Sequence, residues 1–236
     1  METEFFKFKE VIPGTPAYEL YLEFRYEIFC NELHRIAAES CALSCNGHPI
    51  ETDQYDVYSR HFMAYHKNSD SPAASVRVIT PNPLGLNVAA RYAIDQPLPY
   101  ADATNANVGE ISRMAIASQF RRRQEDKGKP FQGDPETEMS LQPDARRRHQ
   151  PDLVLGMYRE IYLLCNQIGI DYCMAAMENR FSRLLRTLGF PWLAISPINE
   201  NVEPPRRVYI IGALDIERSL SQRETQILDF LKTKQS

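Results

Sequence analysis

The sequence lacks the features of a membrane or exported protein. No apolar run approaches the roughly 20 residues that a membrane-spanning helix needs. The chain starts METEFFK, which places acidic side chains where a secretory signal would carry a basic start and an apolar run. We therefore expect no transmembrane segment and a cytoplasmic protein.

The chain also lacks an excess of either charge. Its 27 basic and 31 acidic residues give a formal net charge of −4, whereas proteins that bind nucleic acid over a broad surface are usually strongly basic. We expect no nucleic-acid partner. The 236 residues, 43% of them hydrophobic, suffice for one substantial core. A single domain over 1–236 is the simplest organisation.

Cysteine is scarce, and its spacing excludes the usual zinc frameworks. Five cysteines cannot all pair, and in a reducing compartment we expect free thiols. One segment gathers possible metal ligands, namely Cys30, His34, Cys41, Cys45 and His48. It has no C-x₂-C hook, so zinc is the minority interpretation and we expect no metal. Cys165 and Cys173 lie in apolar runs and are expected in the core.

A helix is predicted to begin at Thr15-Pro16, because Thr can cap a helix and Pro suits its first position. Helical spacing predicts a core stripe formed by Ala17, Leu20, Phe24 and Ile28. A second line, Tyr21, Arg25 and Phe29, runs beside that stripe. Arg25 is thus expected at the edge of the buried face, either reaching into a site or holding its head in water.

Further elements follow from hydrophobic periodicity and turn residues. Strands are predicted at 61–66, 74–80, 108–117, 171–177 and 207–214, and helices at about 152–168, 180–188 and 221–232. Between two arginine triplets, residues 121–150 have few apolar side chains and are predicted to form a mobile or inserted loop. This mixture of strands and helices favours an α/β or α+β layered domain.

Charged residues inside apolar strands indicate a polar site. Burying Arg77, Glu110 and Arg113 is costly unless these charges pair with one another or meet a polar ligand. In a regular strand, the side chains of Glu110 and Arg113 point apart, and a β-bulge between them would bring both to one side. The equally ranked alternative is a ladder of ion pairs on a half-exposed sheet.

These segments, in this order, resemble a known family. They are the helix with Arg25 and Phe29, ETDQYD at 51–56, SVRV at 75–78 and GEISR at 109–113. The pattern is similar to that of acyl-homoserine-lactone synthases. It is still more similar to long-chain N-acyl amino acid synthases and to the acyltransferases of PEP-CTERM/exosortase systems. All belong to the Gcn5-related N-acyltransferase (GNAT) superfamily. The segment NRFSRLLRTLGF at 179–190 also resembles the late helix of that superfamily and the Gly-Phe turn that closes it. The resemblance covers roughly residues 15–215.

The resemblance implies a mixed, mostly antiparallel central sheet with helices on both faces. The sheet would splay open between its fourth strand, 108–117, and its fifth, 171–177. The pantetheine arm of an acyl thioester would lie in that split. The residues expected to bind this arm or its carrier are Ser118, Phe120, Arg121, Arg122 and Arg123. The glycine-rich turn common in the superfamily is missing there, and a solvated basic loop is the alternative interpretation.

The resemblance further implies an N-acyltransferase that moves a long fatty acyl chain from an acyl carrier protein, or from acyl-CoA, to the amine of an amino acid or similar small acceptor. No cofactor would be bound permanently. Glu110 is the expected base, and Arg77 and Arg113 could bind a substrate carboxylate. The catalytic assignment comprises Glu110, Arg113, Glu51 and Asp53. The substrate-binding assignment comprises Arg25, Phe29, Asp56, Arg77 and Ser112.

Departures from the pattern bear on the choice of branch. Autoinducer synthases have a tryptophan shortly after the first helix, whereas this chain has none in 30–45 and its single one is Trp192. The basic insertion is also longer than in the common autoinducer pattern. Both points favour the N-acyl amino acid or exosortase-associated branch. The alternatives are a lactone synthase that uses S-adenosylmethionine and a non-catalytic module that binds a partner.

Overall fold

The computed structural model describes residues 3–120 and 143–233. The first part contains β1 Phe6–Val11, α1 Pro16–Tyr26, β2 Ala42–Leu43, β3 Pro49–Ile50, β4 Ser59–His66, β5 Pro72–Ile79, α2 Asn87–Arg91 and β6 Val108–Ile116. The second contains α3 Pro143–Ile168, β7 Tyr172–Met177, α4 Asn179–Thr187, β8 Leu193–Ala194, β9 Arg207–Gly212, α5 Ala213–Arg223 and α6 Thr225–Lys232.

Seven strands form the main sheet, in the order β1-β4-β5-β6-β7-β9-β8, while β2 and β3 form a small separate pair. All neighbours in the main sheet are antiparallel except β6 and β7, which run parallel. These two pair only from Val108 with Tyr172 to Glu110 with Met174. Beyond that point the described residues of β6 and β7 separate. The expected split between the fourth and fifth strands of this sheet is therefore present.

Helices cover both faces of the sheet. On one face the main core joins α3 to β1, with Leu153 and Met157 packed among Phe6 and Phe8. On the other face a smaller core packs α1 against the strands. Because side chains alternate along a strand, each face receives its own set of residues. The functional residues of β5 and β6 can thus face α1 while their neighbours complete the main core.

Helix α1 begins as predicted but buries only part of the predicted stripe. The hydroxyl of Thr15 accepts a hydrogen bond from the Tyr18 N–H and caps the helix. The predicted core stripe is confirmed at Phe24 and Ile28, which are buried, and wrong at Ala17 and Leu20, which are exposed. The neighbouring Tyr21 and Arg25 are fully buried instead. Hydrophobic periodicity alone does not identify the whole buried face of α1, because that face includes the charged residue Arg25. A π-helix, Glu27–Glu32, continues α1.

Several boundaries also differ from the predictions. Helix α3 begins at Pro143, so residues 143–150 of the expected loop are helical, while 121–142 lie outside the described residues. The predicted last helix is two helices, α5 and α6, and the short elements α2 and β8 were not predicted. Strand β1 was also missed, although its sequence FKFKEV alternates apolar and charged residues as an edge strand does.

Candidate active site

Six ionised side chains from four segments meet on the face of the sheet that α1 covers. Helix α1, the loop before β4, β5 and β6 supply them: Arg25; Glu51, Asp53 and Asp56; Arg77; and Arg113. Three positive and three negative charges balance. We call this group the charged cluster.

Arg25 lies at the most buried end of the charged cluster. Its Nε donates to Glu51 Oε2 at 2.6 Å and its Nη1 to Asp56 Oδ1 at 2.7 Å. The guanidinium carbon also lies 5.3 Å from the centre of the Tyr21 ring. Arg25 is completely inaccessible to solvent, which excludes the alternative in which its head extends into water.

Arg77 is equally inaccessible and joins β5 to the loop and to β6. Its Nη1 donates to Asp53 Oδ1 at 2.6 Å and to Asp56 Oδ1 at 2.7 Å, and its Nη2 donates to Asp53 Oδ2 at 3.0 Å. Its Nε donates to Ser112 Oγ at 3.0 Å. All three guanidinium nitrogens of Arg77 thus donate hydrogen bonds to other protein groups.

A β-bulge brings Arg113 into the charged cluster. Ser75 pairs with Ala115 and Arg77 with Ser112, so β6 has one residue more than β5 in this interval. Arg113 occupies the bulge with a φ of 50°, and Ser75 Oγ donates to its carbonyl. Arg113 and Arg77 both bind Asp53, which places their side chains on one face. A bulge between Glu110 and Arg113, the condition for bringing both to one side, is therefore present.

Arg113 donates to two carboxylates. Its Nε and Nη2 bind the two oxygens of Glu51 at 3.0 and 2.8 Å, and Nη2 also reaches Asp53 at 2.9 Å. Its guanidinium lies 5.8 Å from the centre of the Phe29 ring. The Arg113 side chain is 14% exposed, in contrast to Arg25 and Arg77.

The loop at 51–56 is shaped by its own hydrogen bonds. The Glu51 N–H donates to the Leu22 carbonyl of α1, which ties the loop to that helix. Asp56 Oδ2 accepts from the Thr52 hydroxyl and the Asp53 N–H, both at 2.9 Å. The E-x-D-x-x-D spacing therefore points three carboxylates at one place.

The arginines determine how these carboxyls titrate. Burial by itself would raise the pKa of Asp56, but Arg25 and Arg77 outweigh burial and hold that pKa well below its usual range. The pKa values of Glu51 and Asp53 are lowered in the same way, by neighbouring arginines against burial. All three groups are ionised at neutral pH and are weak proton acceptors.

Glu110 differs from those carboxyls because it forms no ion pair with any described residue. It lies on β6, 1% exposed, and its Oε2 accepts from the Val88 N–H at 2.9 Å. Its Oε1 lies 3.4 Å from Asn87 Nδ2. Burial raises the pKa of Glu110, and the bond from Val88 offsets this only in part. Asn87 and Val88 were not predicted, because the sequence offers no local signal for their contact with Glu110.

Glu110 lies where the sheet opens. It faces Met174 in the last pair between β6 and β7. Past this pair, alternate backbone N–H groups of β6 point toward β7 without a strand partner in the described chain. A buried carboxyl and backbone donors that lack a strand partner among the described residues therefore lie together at the base of the split.

The residues expected to bind the acyl donor are only partly described. Ser118 is exposed in a short 3₁₀-helix that ends at Phe120. The Phe120 ring packs against Phe6 and His66, with ring centres 5.4 and 5.5 Å apart. Phe120 therefore has a packing role, whatever else it binds. Arg121, Arg122 and Arg123 lie outside the described residues.

The cysteines and histidines do not assemble into a metal site in the described chain. Cys30 and Cys41 approach to 3.4 Å between sulfur atoms, but His48 lies beside Glu23 instead. No group of three His, Cys, Asp or Glu side chains among the described residues is arranged to hold a metal ion. Cys165 and Cys173 are buried in the main core, as predicted.

Comparison with protein families gives one match. Residues 24–128 match the family model described as "Acetyltransferase (GNAT) domain", a range just under half of the chain. The range contains the charged cluster and Glu110. No curated protein matches this sequence. Among the described helices, none has the length and apolar character needed to cross a membrane.

Solved structures share the fold at low sequence identity. TofI, solved in a ternary complex with an inhibitor and MTA, is 14% identical with a TM-score of 0.57, covering 89% of this chain and 96% of TofI. MesI, a CoA-dependent acyl-homoserine lactone synthase, is 13% identical with a TM-score of 0.56, covering 92% and 94%. FeeM, an N-acyl amino acid synthase from uncultured soil microbes, is 10% identical with a TM-score of 0.52, covering 92% and 96%. The chain therefore has the mixed α/β GNAT-like fold.

Proposed function

We propose that this GNAT-like chain is an N-acyltransferase. It moves a fatty acyl group from the thioester of an acyl carrier protein, or of CoA, to the amine of an amino acid or similar small acceptor. The family match over 24–128 and the likeness to the structures of MesI and FeeM support this proposal. The observation that carries it is Glu110, a buried carboxyl at the base of the split that forms no ion pair with any other described residue.

Glu110 acts as the base in this proposal. The attacking amine must be neutral, so Glu110 takes its proton directly or through one water molecule. The raised pKa of Glu110 suits this task, because a carboxylate with a lowered pKa holds a proton too weakly. The amine nitrogen then bonds to the thioester carbonyl carbon, the C–S bond breaks, and the proton that the nitrogen still has to lose passes to the departing thiolate. Backbone N–H groups of β6, past its last pair with β7, stabilise the oxyanion between these steps.

The charged cluster holds the acceptor side of the site in shape. Arg25, Glu51, Asp56 and Arg77 are at most 3% exposed, so they act through their neighbours rather than on substrate. The cluster has two side chains with more exposure, Asp53 at 21% and Arg113 at 14%. These two are the members placed to touch an acceptor.

One cavity of the described chain bears on the length of the acyl chain. It has a volume of about 30 Å³, lies on the opposite face of β6 from Glu110 and is lined by Ile111, Ile161, Cys173, Phe190 and Ile211. Its volume matches the share of about one water molecule in the liquid. A long acyl chain would require these side chains to move apart, so donors of several lengths belong in the assay.

The test is an acyl-transfer assay with product identification. The purified protein is incubated with carrier proteins loaded with acyl chains of different lengths, a pool of amino acids and S-adenosylmethionine, and lipids are read by mass spectrometry. We expect an N-acyl amino acid. Glu110→Gln should lower kcat/KM by about 10²- to 10⁴-fold, the usual contribution of a general base. The exposed Glu200→Gln serves as the matched control.

Other outcomes would contradict the proposal. A lactone released together with methylthioadenosine would assign the chain to autoinducer synthesis. Binding of carrier protein without turnover of any acyl donor would indicate a non-catalytic binding module. An unchanged rate in Glu110→Gln would remove Glu110 as the base while leaving acyl transfer itself in place.

A further inference from the structure

The arginines of the charged cluster are poorly placed to bind the carboxylate of an amino-acid acceptor. Arg77 is inaccessible and already binds Asp53, Asp56 and Ser112. Arg113 is occupied through Nε and Nη2, which leaves Nη1 as its single nitrogen without a hydrogen bond in the described chain. A carboxylate needs a less occupied cation nearby.

A second group of arginines lies around Glu178, and we call it the mouth cluster: Arg35, Arg180, Arg206 and Glu178. Arg35 Nη2 lies 3.1 Å from Glu178 Oε1, and Arg180 Nε lies 2.5 Å from Glu178 Oε2. The Arg206 side chain has no hydrogen bond or ion pair within the described residues. Three positive charges thus face one negative charge.

The backbone places Arg206 beside this ion pair. Met177 pairs with Arg207 across β7 and β9, so Glu178 and Arg206 occupy the next positions in the same antiparallel register. Burial lowers the pKa of the Arg35 guanidinium, and the charges of Arg206 and Arg180 lower it further, against the opposing effect of Glu178. The positive charge here is incompletely compensated by the protein.

The mouth cluster borders the candidate active site. The backbone N–H of Arg35 donates to the backbone carbonyl of Phe29 at 2.8 Å, and the Phe29 ring contacts the Arg113 guanidinium. Glu178 directly follows β7, beyond the point where that strand has left β6. The pair between Arg35 and Glu178 therefore crosses from the charged-cluster side of the split to its far strand. Arg35 is 22% exposed and can be reached from solvent.

We propose that Arg35 and Arg206, with Arg180 at the rim, bind the carboxylate of the acceptor. This inference rests on the proposed function and narrows its substrate class to acceptors with a free carboxylate. Guanidinium groups bind carboxylates through paired, charge-assisted hydrogen bonds.

The test compares two acceptors that differ only at the carboxylate, an amino acid and its amide. We expect the wild type to prefer the acid. Arg35→Met and Arg206→Met should each raise KM for the acid about 10-fold or more, since each loses a charge-assisted hydrogen bond. KM for the amide and for the acyl donor should stay unchanged. Arg218→Met, on α5 with a 71% exposed side chain, is the control.

A substitution of opposite sign separates binding from a merely structural role. Glu178→Gln removes the competing carboxylate, so it should lower KM for the acid. A variant that only loosens the fold would raise KM for both acceptors and lower the melting temperature. Equal use of acid and amide by the wild type would overturn the inference. A rise in KM for the donor in Arg35→Met would also overturn it, since the cluster would then bind the donor.

Direct binding distinguishes failure of this inference from failure of the proposed function. The probes are N-dodecanoylglycine and N-dodecanoylglycinamide, measured by calorimetry on wild type and Arg35→Met. Selective binding of the acid by the wild type, lost in Arg35→Met, would support the carboxylate subsite even without turnover. Equal binding of both probes by the wild type would refute the subsite, whether or not acyl transfer occurs.

Discussion

Arg113 has a backbone conformation that few residues other than glycine adopt. Its φ of 50° lies in the left-handed region, where a side chain costs about 1–2 kcal/mol. Three hydrogen bonds to Glu51 and Asp53 offset this cost in the native protein. The strain therefore lies at the residue that completes the charged cluster, as is common beside functional sites.

This conformation predicts an unusual order of stability. Arg113→Gly and Arg113→Ala both lose the ion pairs, but only alanine retains the left-handed cost. We expect Arg113→Gly to be more stable than Arg113→Ala by about 1 kcal/mol in urea unfolding. The same two substitutions at Arg60, inside the regular strand β4, should give the opposite order. Alanine equal to glycine at position 113 would contradict the assigned backbone.

For single residues, the sequence predicts well which side chains come together. It predicts less well how deeply they are buried and which partners they bind. The joint placement of Glu110 and Arg113 on one face follows from the need for a bulge. The burial of Arg25 does not, because the usual behaviour of arginine favours an exposed head. Asn87 and Val88 could not be predicted, since their contact with Glu110 depends on where the tertiary structure places α2.

Helix α3 packs very closely against strand β1 at one point. Gly156 in α3 lies over the Phe8 ring of β1, and a Cβ at this position would overlap that ring. Glycine inside a helix costs about 1 kcal/mol relative to alanine. The close packing of α3 on β1 is the compensating gain.

Gly156→Ala should therefore destabilise the protein, although alanine is the better helix former. We expect a loss of about 1–3 kcal/mol, typical of overpacking, in the free energy of unfolding. Phe8→Leu should relieve the overlap, so the double variant should lose less than the sum of the single losses. A more stable Gly156→Ala would show that α3 packs further from the sheet.

Elements with clear periodicity were predicted within a few residues, β6 and α4 among them. Apart from β1, whose alternating sequence carries a local signal, the misses depend on packing rather than on a local pattern. Two-residue β8 exists only through its pairing with β9. The buried side of α1 was only partly predicted, because the charged cluster as well as hydrophobicity decides which side faces the sheet.

Across the whole molecule, two kinds of carboxyl change the stability of the fold in opposite directions as pH changes. Asp56, Glu51 and Asp53 have lowered pKa values, so their stabilisation is present above about pH 4 and is lost as pH falls through the folded-state values. Glu110 has a raised pKa. Its contribution is present below about pH 4 and is lost as pH rises through its folded-state value.

Urea unfolding between pH 8 and pH 2.5 should resolve the two effects. We expect the free energy of unfolding to fall below pH 4, and the deficit of Asp56→Asn relative to wild type to shrink there. The reason is that the unfolded wild-type chain takes up a proton at Asp56 below about pH 4, while the folded protein still holds this carboxyl ionised. The free energy of unfolding of Glu110→Gln should increase relative to that of the wild type as pH rises from 4 to 8. A constant gap between Asp56→Asn and wild type at every pH would contradict the assigned ion pairs.

The mostly antiparallel sheet and its split were predicted through the family resemblance and not through periodicity. Local patterns indicate strands, but they do not encode which strands pair. The parallel contact of β6 with β7 joins segments on either side of residues 121–150. Only a known arrangement of motifs such as GEISR at 109–113 carries that information.

Unpaired strand edges are places where copies of a protein can join and aggregate. Among the described strands, β1 forms one outer edge and carries Lys7, Lys9 and Glu10, while β8, only two residues long, forms the other. The unpaired stretches of β6 and β7 instead face each other across the split. Because each wall faces the other, neither is an outer edge that a second sheet could extend. The sheet can thus stay open at this point without offering a site of aggregation.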